Sequence, residues 1–174
     1  TAAYNTALGY ASMCLNTTGA ANTALGFNTM LNNTTAANNV AVGAYALDAN
    51  TTASKNVAIG FDALSISTTA SNNTAVGFES LKLNTTASYN TAVGAYSMDA
   101  TTTGCKNTAV GFNSLGANTT GDDNVAIGQN SLRYATTADA NTAVGICSLF
   151  KTTTGAKNVG IGTCALICNL TGEE

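Results

Sequence analysis

The 174-residue chain contains no His, no Pro and no Trp, and only 9% of its residues are charged. Without His there is no imidazole for general acid–base work and no nitrogen ligand to complete a zinc site. Its five cysteines, Cys14, Cys105, Cys147, Cys164 and Cys168, show no paired C-x-x-C spacing, so neither metal binding nor any cofactor is expected. The acids Asp48, Asp62, Glu79, Asp99, Asp122, Asp123, Asp139, Glu173 and Glu174 are scattered and form no paired constellation, so the chain is not expected to be an enzyme. A net charge of −3 without a basic cluster leaves no electrostatic footprint for nucleic acid or an anionic membrane surface. No run approaches the roughly 18 to 20 apolar residues of a membrane span, and the first residues are neither Met nor a charged-then-apolar leader.

What remains is mostly Asn, Thr, Ala and Gly, a composition that alone would suit a disordered low-complexity tract. Register argues otherwise. The phrase Asn107-Thr108-Ala109-Val110-Gly111 returns every seventeen residues, its Asn falling at Asn5, Asn22, Asn39, Asn56, Asn73, Asn90, Asn107, Asn124, Asn141 and Asn158. Residues 5–174 are therefore ten repeats without insertion or deletion, and residues 1–4 match the end of a preceding repeat, as expected of a piece of a longer fibre. A perfect short period is the signature of a solenoid.

Numbered from its Asn, the repeat has Ala at column 3 except for Gly160, an aliphatic residue at column 4 and Gly at column 5. Column 8 is Ala, Ser or Thr, and column 9 is Leu or Met. Columns 13 and 14 are Thr-Thr, save for Leu170, and column 15 is Gly or Ala. Seventeen residues cannot hold two helices and a turn, and Thr, Val and Gly disfavour helix. Each repeat thus reads as one coil of an all-β, parallel β-solenoid, with strands at columns 2–4 and 7–10, a bend at the Gly and a return through columns 11–17. At about 4.8 Å per coil the ten coils make a rod roughly 48 Å long.

Alternate residues of a strand face opposite sides. If the aliphatic column 4 fills the coil, the Ala column faces outward, and an outward column that never drifts to a polar residue implies close packing against another chain. On this reading Ala7, Ala24, Ala41, Ala58, Ala75, Ala92, Ala109, Ala126 and Ala143 form the interface of a homo-oligomeric rod. One bulky ring is kept in most coils: Tyr10, Phe27, Phe61, Phe78 and Phe112 at column 6, replaced by Tyr45 and Tyr96 at column 7 where column 6 is Ala44 or Ala95. Lys55, Lys106 and Lys157 close every third repeat, and Asp48 and Asp99 share column 10, which hints at a duplicated 51-residue block. Cys147 and Cys164 share column 7 of adjacent coils, about 4.8 Å apart, inside the disulfide range; the other reading is of small apolar side chains.

The Thr pairs are the one surface candidate: Thr17/Thr18, Thr34/Thr35, Thr51/Thr52, Thr68/Thr69, Thr85/Thr86, Thr102/Thr103, Thr119/Thr120, Thr136/Thr137 and Thr153/Thr154. Two hydroxyl files at a spacing near 4.8 Å resemble the ordered arrays of ice-binding β-solenoids, with T-x-T at Thr101/Thr103 and Thr152/Thr154. They are also candidates for receptor or glycan contact. The competing reading is that these residues form turns, their hydroxyls bonding local backbone and stacking into ladders. Asn16, Asn33, Asn50, Asn84 and Asn118, each followed by Thr-Thr, are sequons that a eukaryotic source could glycosylate.

The phrase N-T-A-V-G-F-x-S-L-x-x-N-T-T-G-x-x, clearest from Asn107 to Asp123, resembles repeats in the shafts of phage and viral tail fibres. In its [TV]-A-[VI]-G core it is also similar to the head repeats of trimeric autotransporter adhesins, although those are nearer fourteen residues long and lack the Thr-Thr pair. The resemblance implies a homotrimeric rod, extracellular or on a virion, that spaces or presents an attachment tip whose receptor or glycan is met by further domains. Two other functions fit the columns: an ice-binding solenoid acting through the Thr files, and a filament subunit stacking end to end.

Overall fold

The computed structural model describes residues 2–172; Thr1 of the stub, Glu173 and Glu174 lie outside the described residues. It is a parallel β-solenoid. Its ten strands are β1 (Thr6–Leu8), β2 (Thr23–Leu25), β3 (Val40–Val42), β4 (Val57–Ile59), β5 (Thr74–Val76), β6 (Thr91–Val93), β7 (Thr108–Val110), β8 (Val125–Ile127), β9 (Thr142–Val144) and β10 (Val159–Ile161). They form one parallel sheet in chain order, each column paired with itself, as in Ala92↔Ala109 and Val93↔Val110. Seventeen residues per coil with no insertion leave no other register.

Only columns 2–4 are strand. The second strand expected at columns 7–10 is absent, because columns 7 and 9 are left-handed in every coil, with φ of 52–61° and 50–53°. Two positive φ values separated by one residue turn the chain tightly where a strand would extend it. Column 17 is left-handed as well, and the column-5 glycines lie at φ 121–145°. Even so, the backbone keeps pairing between coils: the N–H of Leu115 donates to Ser131, that of Ala117 to Arg133, and that of Asn113 back to Ala95.

The left-handed columns explain a compositional rule. Positive φ is hardest on β-branched side chains, and columns 7, 9 and 17 carry no Val, Ile or Thr in a chain full of them. Column 9 is therefore Leu or Met where column 4 is free to be Val or Ile. Replacing Leu115 by Ile is expected to cost about 2–3 kcal/mol, mostly backbone strain, against less than about 1.5 kcal/mol for Met. Urea midpoints of the two variants measure the difference.

The inside of the coil corrects the expected facing of the strands. Ala24, Ala41, Ala58, Ala75, Ala92, Ala109, Ala126 and Ala143 are 0–1% exposed and point inward; Ala7 is exposed at the open end of the described stack. The Ala column is therefore core and not an interface. Column 4 points out, with Val93 36%, Val110 37% and Ile127 40% exposed. The cause is room. At Gly160, the one Gly in that column, an added Cβ would already crowd Ser148 Oγ at 2.7 Å and Leu149 Cγ at 3.1 Å, so the opposite wall leaves no space for anything larger than the methyl found in the other coils.

Large apolar content inside is limited to column 9, where Met30, Leu47, Leu64, Leu81, Met98, Leu115, Leu132 and Leu149 are fully buried. Polar ladders fill much of the rest. The column-1 Asn accepts the backbone N–H of the next coil's Asn on its Oδ1, as in Asn124 N to Asn107 at 2.9 Å. Its own Nδ2 crosses the coil to the column-15 carbonyl, as in Asn107 to Gly121 at 2.8 Å. One side chain thus joins neighbouring coils and closes its own. Column-12 amides bond the same carbonyl, Asn118 Nδ2 to Gly121 O at 3.1 Å, and column 15 is buried against the next coil, so it holds only Gly or Ala.

Candidate functional site

With the interior sealed, candidate chemistry lies on the outer columns. The two Thr files separate. Column-13 hydroxyls are committed to the next coil: Thr17, Thr34, Thr51, Thr85, Thr102, Thr119 and Thr136 donate to the following column-13 carbonyl at 2.9–3.3 Å, and Thr153 donates to Leu170 at 3.2 Å. These are the internal ladders of the turn reading. Column 14 differs: Thr18, Thr35, Thr52, Thr69, Thr86, Thr103, Thr120, Thr137 and Thr154 are all exposed. The T-x-T pairs do not share a face, since Thr101 and Thr152 are 0% exposed at column 12.

Column 12 also settles most of the sequons. Asn33, Asn50, Asn84 and Asn118 are fully buried, and their Nδ2 atoms, where a glycan would attach, bond within the coil. Only Asn16 is partly exposed. All five cysteines are free, so the Cys147–Cys164 bridge is not formed. In-register stacking holds parallel Cβ atoms near 4.8 Å, beyond the roughly 3.5–4.5 Å that a disulfide spans.

The sheet presents the most continuous surface. Columns 2 and 4 expose Thr or Val beside Val, Ile or Leu along the rod, and the rings border them: Tyr10, Phe27, Tyr45, Phe61, Phe78, Tyr96 and Phe112 form an unbroken file with centroids 5.3–5.9 Å apart. Tyr45 and Tyr96, moved to column 7, fill the gaps left by Ala44 and Ala95. Stacked and edge-on pairs use the ring faces against one another, so each ring is satisfied yet Phe61 and Phe112 stay 43% and 48% exposed.

A ladder at column 16 escaped the sequence reading. The N–H groups of Ala37, Ser54 and Ser71 donate to the hydroxyls of Ser54, Ser71 and Ser88, that of Ser88 to Cys105 Sγ, and those of Cys105 and Asp122 to the carboxylates of Asp122 and Asp139. Its signal was legible: from Ser54 to Asp139 that column always carries a short side chain ending in an acceptor.

Charges are few and local. Lys82 bridges Asp62 at 3.2 Å and Glu79 at 3.1 Å. Burial holds the Asp48 and Asp99 carboxyls above their ordinary value of 3.8. A carboxyl whose folded pKa is raised favours the folded state when protonated, so each of these opposes folding once ionised, and stability rises as pH falls through the raised value toward 3.8. Asp48→Asn and Asp99→Asn are therefore expected to be slightly more stable at pH 7 and to remove part of the fall in stability as pH rises above 3.8, measured as thermal midpoints against pH. Among the described residues no cluster of three or more His, Cys, Asp or Glu could hold a metal, and no helix is long and apolar enough to cross a membrane. Comparison with known families, curated proteins and solved structures finds no match.

Proposed function

We propose that the chain is the rod-like segment of an extracellular or virion fibre, in which copies pack side by side through the outward sheet face and hold an attachment end away from a surface. The observation that supports this is the outward column 4, Val, Ile or Leu in every coil, flanked by the Thr or Val of column 2 and by a column 6 that is apolar except at Gln129 and Thr163, without covering within the chain. Soluble monomers rarely leave contiguous apolar surface beyond a few hundred Å². About 48 Å of length and about 13 Å of width give roughly 600 Å² per face. Two such faces bury about 1,200 Å², the lower bound of stable interfaces. A trimer is the arrangement that the resemblance to adhesin heads suggests. Sedimentation equilibrium at micromolar concentration is the test: an oligomer is expected, and a monomer overturns the reading.

A second reading, ice binding, is favoured by the exposed column-14 hydroxyls, one per coil at the coil spacing. It predicts thermal hysteresis that is lost in the Thr86→Lys, Thr103→Lys, Thr120→Lys variant; an unmutated protein without hysteresis removes it. Catalysis has no part in either reading.

A further inference from the structure

Column 10 carries a comparison made by the chain itself. Asp48, Ser65 and Lys82 occupy it in coils three to five, and Asp99, Gly116 and Arg133 occupy it three coils on. In the first triplet Ser65 is 6% exposed and fills the middle position, while Lys82 is neutralised by Asp62 and Glu79 of column 7. In the second, the column-7 acids are replaced by Asn113 and Asn130. With its amide oxygen turned toward Arg133, Asn113 accepts from Nε at 3.2 Å and Nη2 at 3.3 Å, so the guanidinium is oriented but keeps its charge. Asn130, at the position from which Glu79 reaches Lys82, has a buried Oδ1 with no partner.

Gly116 then opens a notch. Two coils separate Asp99 from Arg133, about 9.6 Å, and the depression between them holds about 230 Å³, lined by Asp99, Asn113, Gly116, Ala117, Arg133 and Tyr134. A groove of about 330 Å³ continues past Ala117 and Tyr134 to Thr153, Leu170 and a second cation, Lys151. Arg133 lies 5.3 Å from the Tyr134 ring centroid, and Tyr134 is braced by Phe150 with centroids 5.0 Å apart.

We propose that this notch and groove bind a carboxylate-bearing saccharide of the uronic-acid type. The guanidinium has five N–H donors, two of them spent on Asn113, and the rest can grip a carboxylate. Ring hydroxyls can donate to the Asp99 carboxylate, and the carbon face of the sugar lies along Ala117 and Tyr134. A neutral sugar would leave the Arg133 charge unused. A simple carboxylate would leave Asp99 facing nothing. Apart from Asn113 of column 7, the residues of the site lie on columns 10–13 and not on the exposed columns 2 and 4 of the sheet.

The test is an NMR titration of the whole chain with tri-galacturonic acid, with galactotriose as the neutral probe. Tri-galacturonic acid is expected to shift the amides of Gly116, Ala117 and Tyr134 and to lose affinity as salt rises, and galactotriose is expected to bind at least tenfold more weakly. Arg133→Gln should weaken binding at least tenfold, with Arg133→Lys intermediate. At Gly116 a Cβ runs into the Asn113 side-chain amide, so Gly116→Gln should abolish binding, whereas Lys82→Gln, at the counterpart of Arg133 one block earlier, should not change it. Arg133 and Lys82 are partly exposed and Gly116 is buried, so unchanged circular dichroism is required of each variant to verify the fold. Equal affinity for the two probes, full binding by Arg133→Gln, or shifts centred elsewhere would overturn the proposal.

Discussion

Asn107→Asp is expected to leave the rod unfolded or split at neutral pH and to let it recover as the solution is acidified. Asn107 is 0% exposed, and its Nδ2 is 2.8 Å from the Gly121 carbonyl and 3.3 Å from Asn90 Oδ1. A carboxylate there keeps the acceptor that receives Asn124 N–H but sets a negative oxygen against two others, without solvent. Uncompensated buried charge costs several kcal/mol. The folded-state pKa of the new acid must therefore be raised, so stability returns as pH drops through that raised value. Asn107→Ala carries no charge and orphans chiefly the Asn124 N–H, for a loss of about 3 kcal/mol at any pH. Asn72→Asp, on the exposed left-handed column 17 where Asp123 already sits, should change stability by less than about 0.5 kcal/mol. Urea denaturation followed by circular dichroism at pH 7 and pH 4 separates the three; an Asn107→Asp protein with no pH dependence would contradict the ladder.

Val93→Lys, Val110→Lys and Ile127→Lys combined are expected to convert the proposed oligomer into a folded monomer. Three adjacent rungs of the sheet face lose their apolar contact, and each subunit brings three ammonium groups to a surface with no acid to receive them. Charges facing one another across the seam would weaken association by about 4 kcal/mol, roughly a thousandfold. Because column 4 is outside the coil, the unfolding midpoint of the monomer should stay close to that of the parent chain. The mirror experiment is Ala109→Lys. One residue away, it places an ammonium against Ser and Leu side chains at 0% exposure and should abolish folding. Sedimentation velocity read together with circular dichroism distinguishes loss of partner from loss of fold.

The Ala and Val columns mark the limit of what could be read from the chain. Strand alternation showed that they face opposite sides, but either assignment satisfies alternation. Hydrophobicity then favoured putting the larger side chain inside. The structure reverses this because one wall of the coil is already occupied by column 9, and the gap left opposite takes only a methyl. The missing second strand has a similar origin: Leu and Met at column 9 suit a strand by hydrophobicity, while their significance lies in the absence of Val and Ile. Columns 7, 9 and 17, the three non-glycine left-handed positions, all exclude β-branched residues, but so do columns 1, 3, 5, 15 and 16, so that pattern narrows the choice without locating them. The Thr pair was divided correctly into one inner and one outer role only after hydrogen bonds separated column 13 from column 14.

By itself the amino-acid order determined the period, the parallel in-register sheet, the number of coils and the aromatic file, because an uninterrupted seventeen-residue repeat can stack only column upon column. Which side of each strand is inside, which Thr hydroxyls are free, and that Gly116 opens a notch between Asp99 and Arg133 were decided only in three dimensions. Those outcomes depend on the width of the closed coil and on contacts between residues seventeen or more positions apart, which no local pattern records.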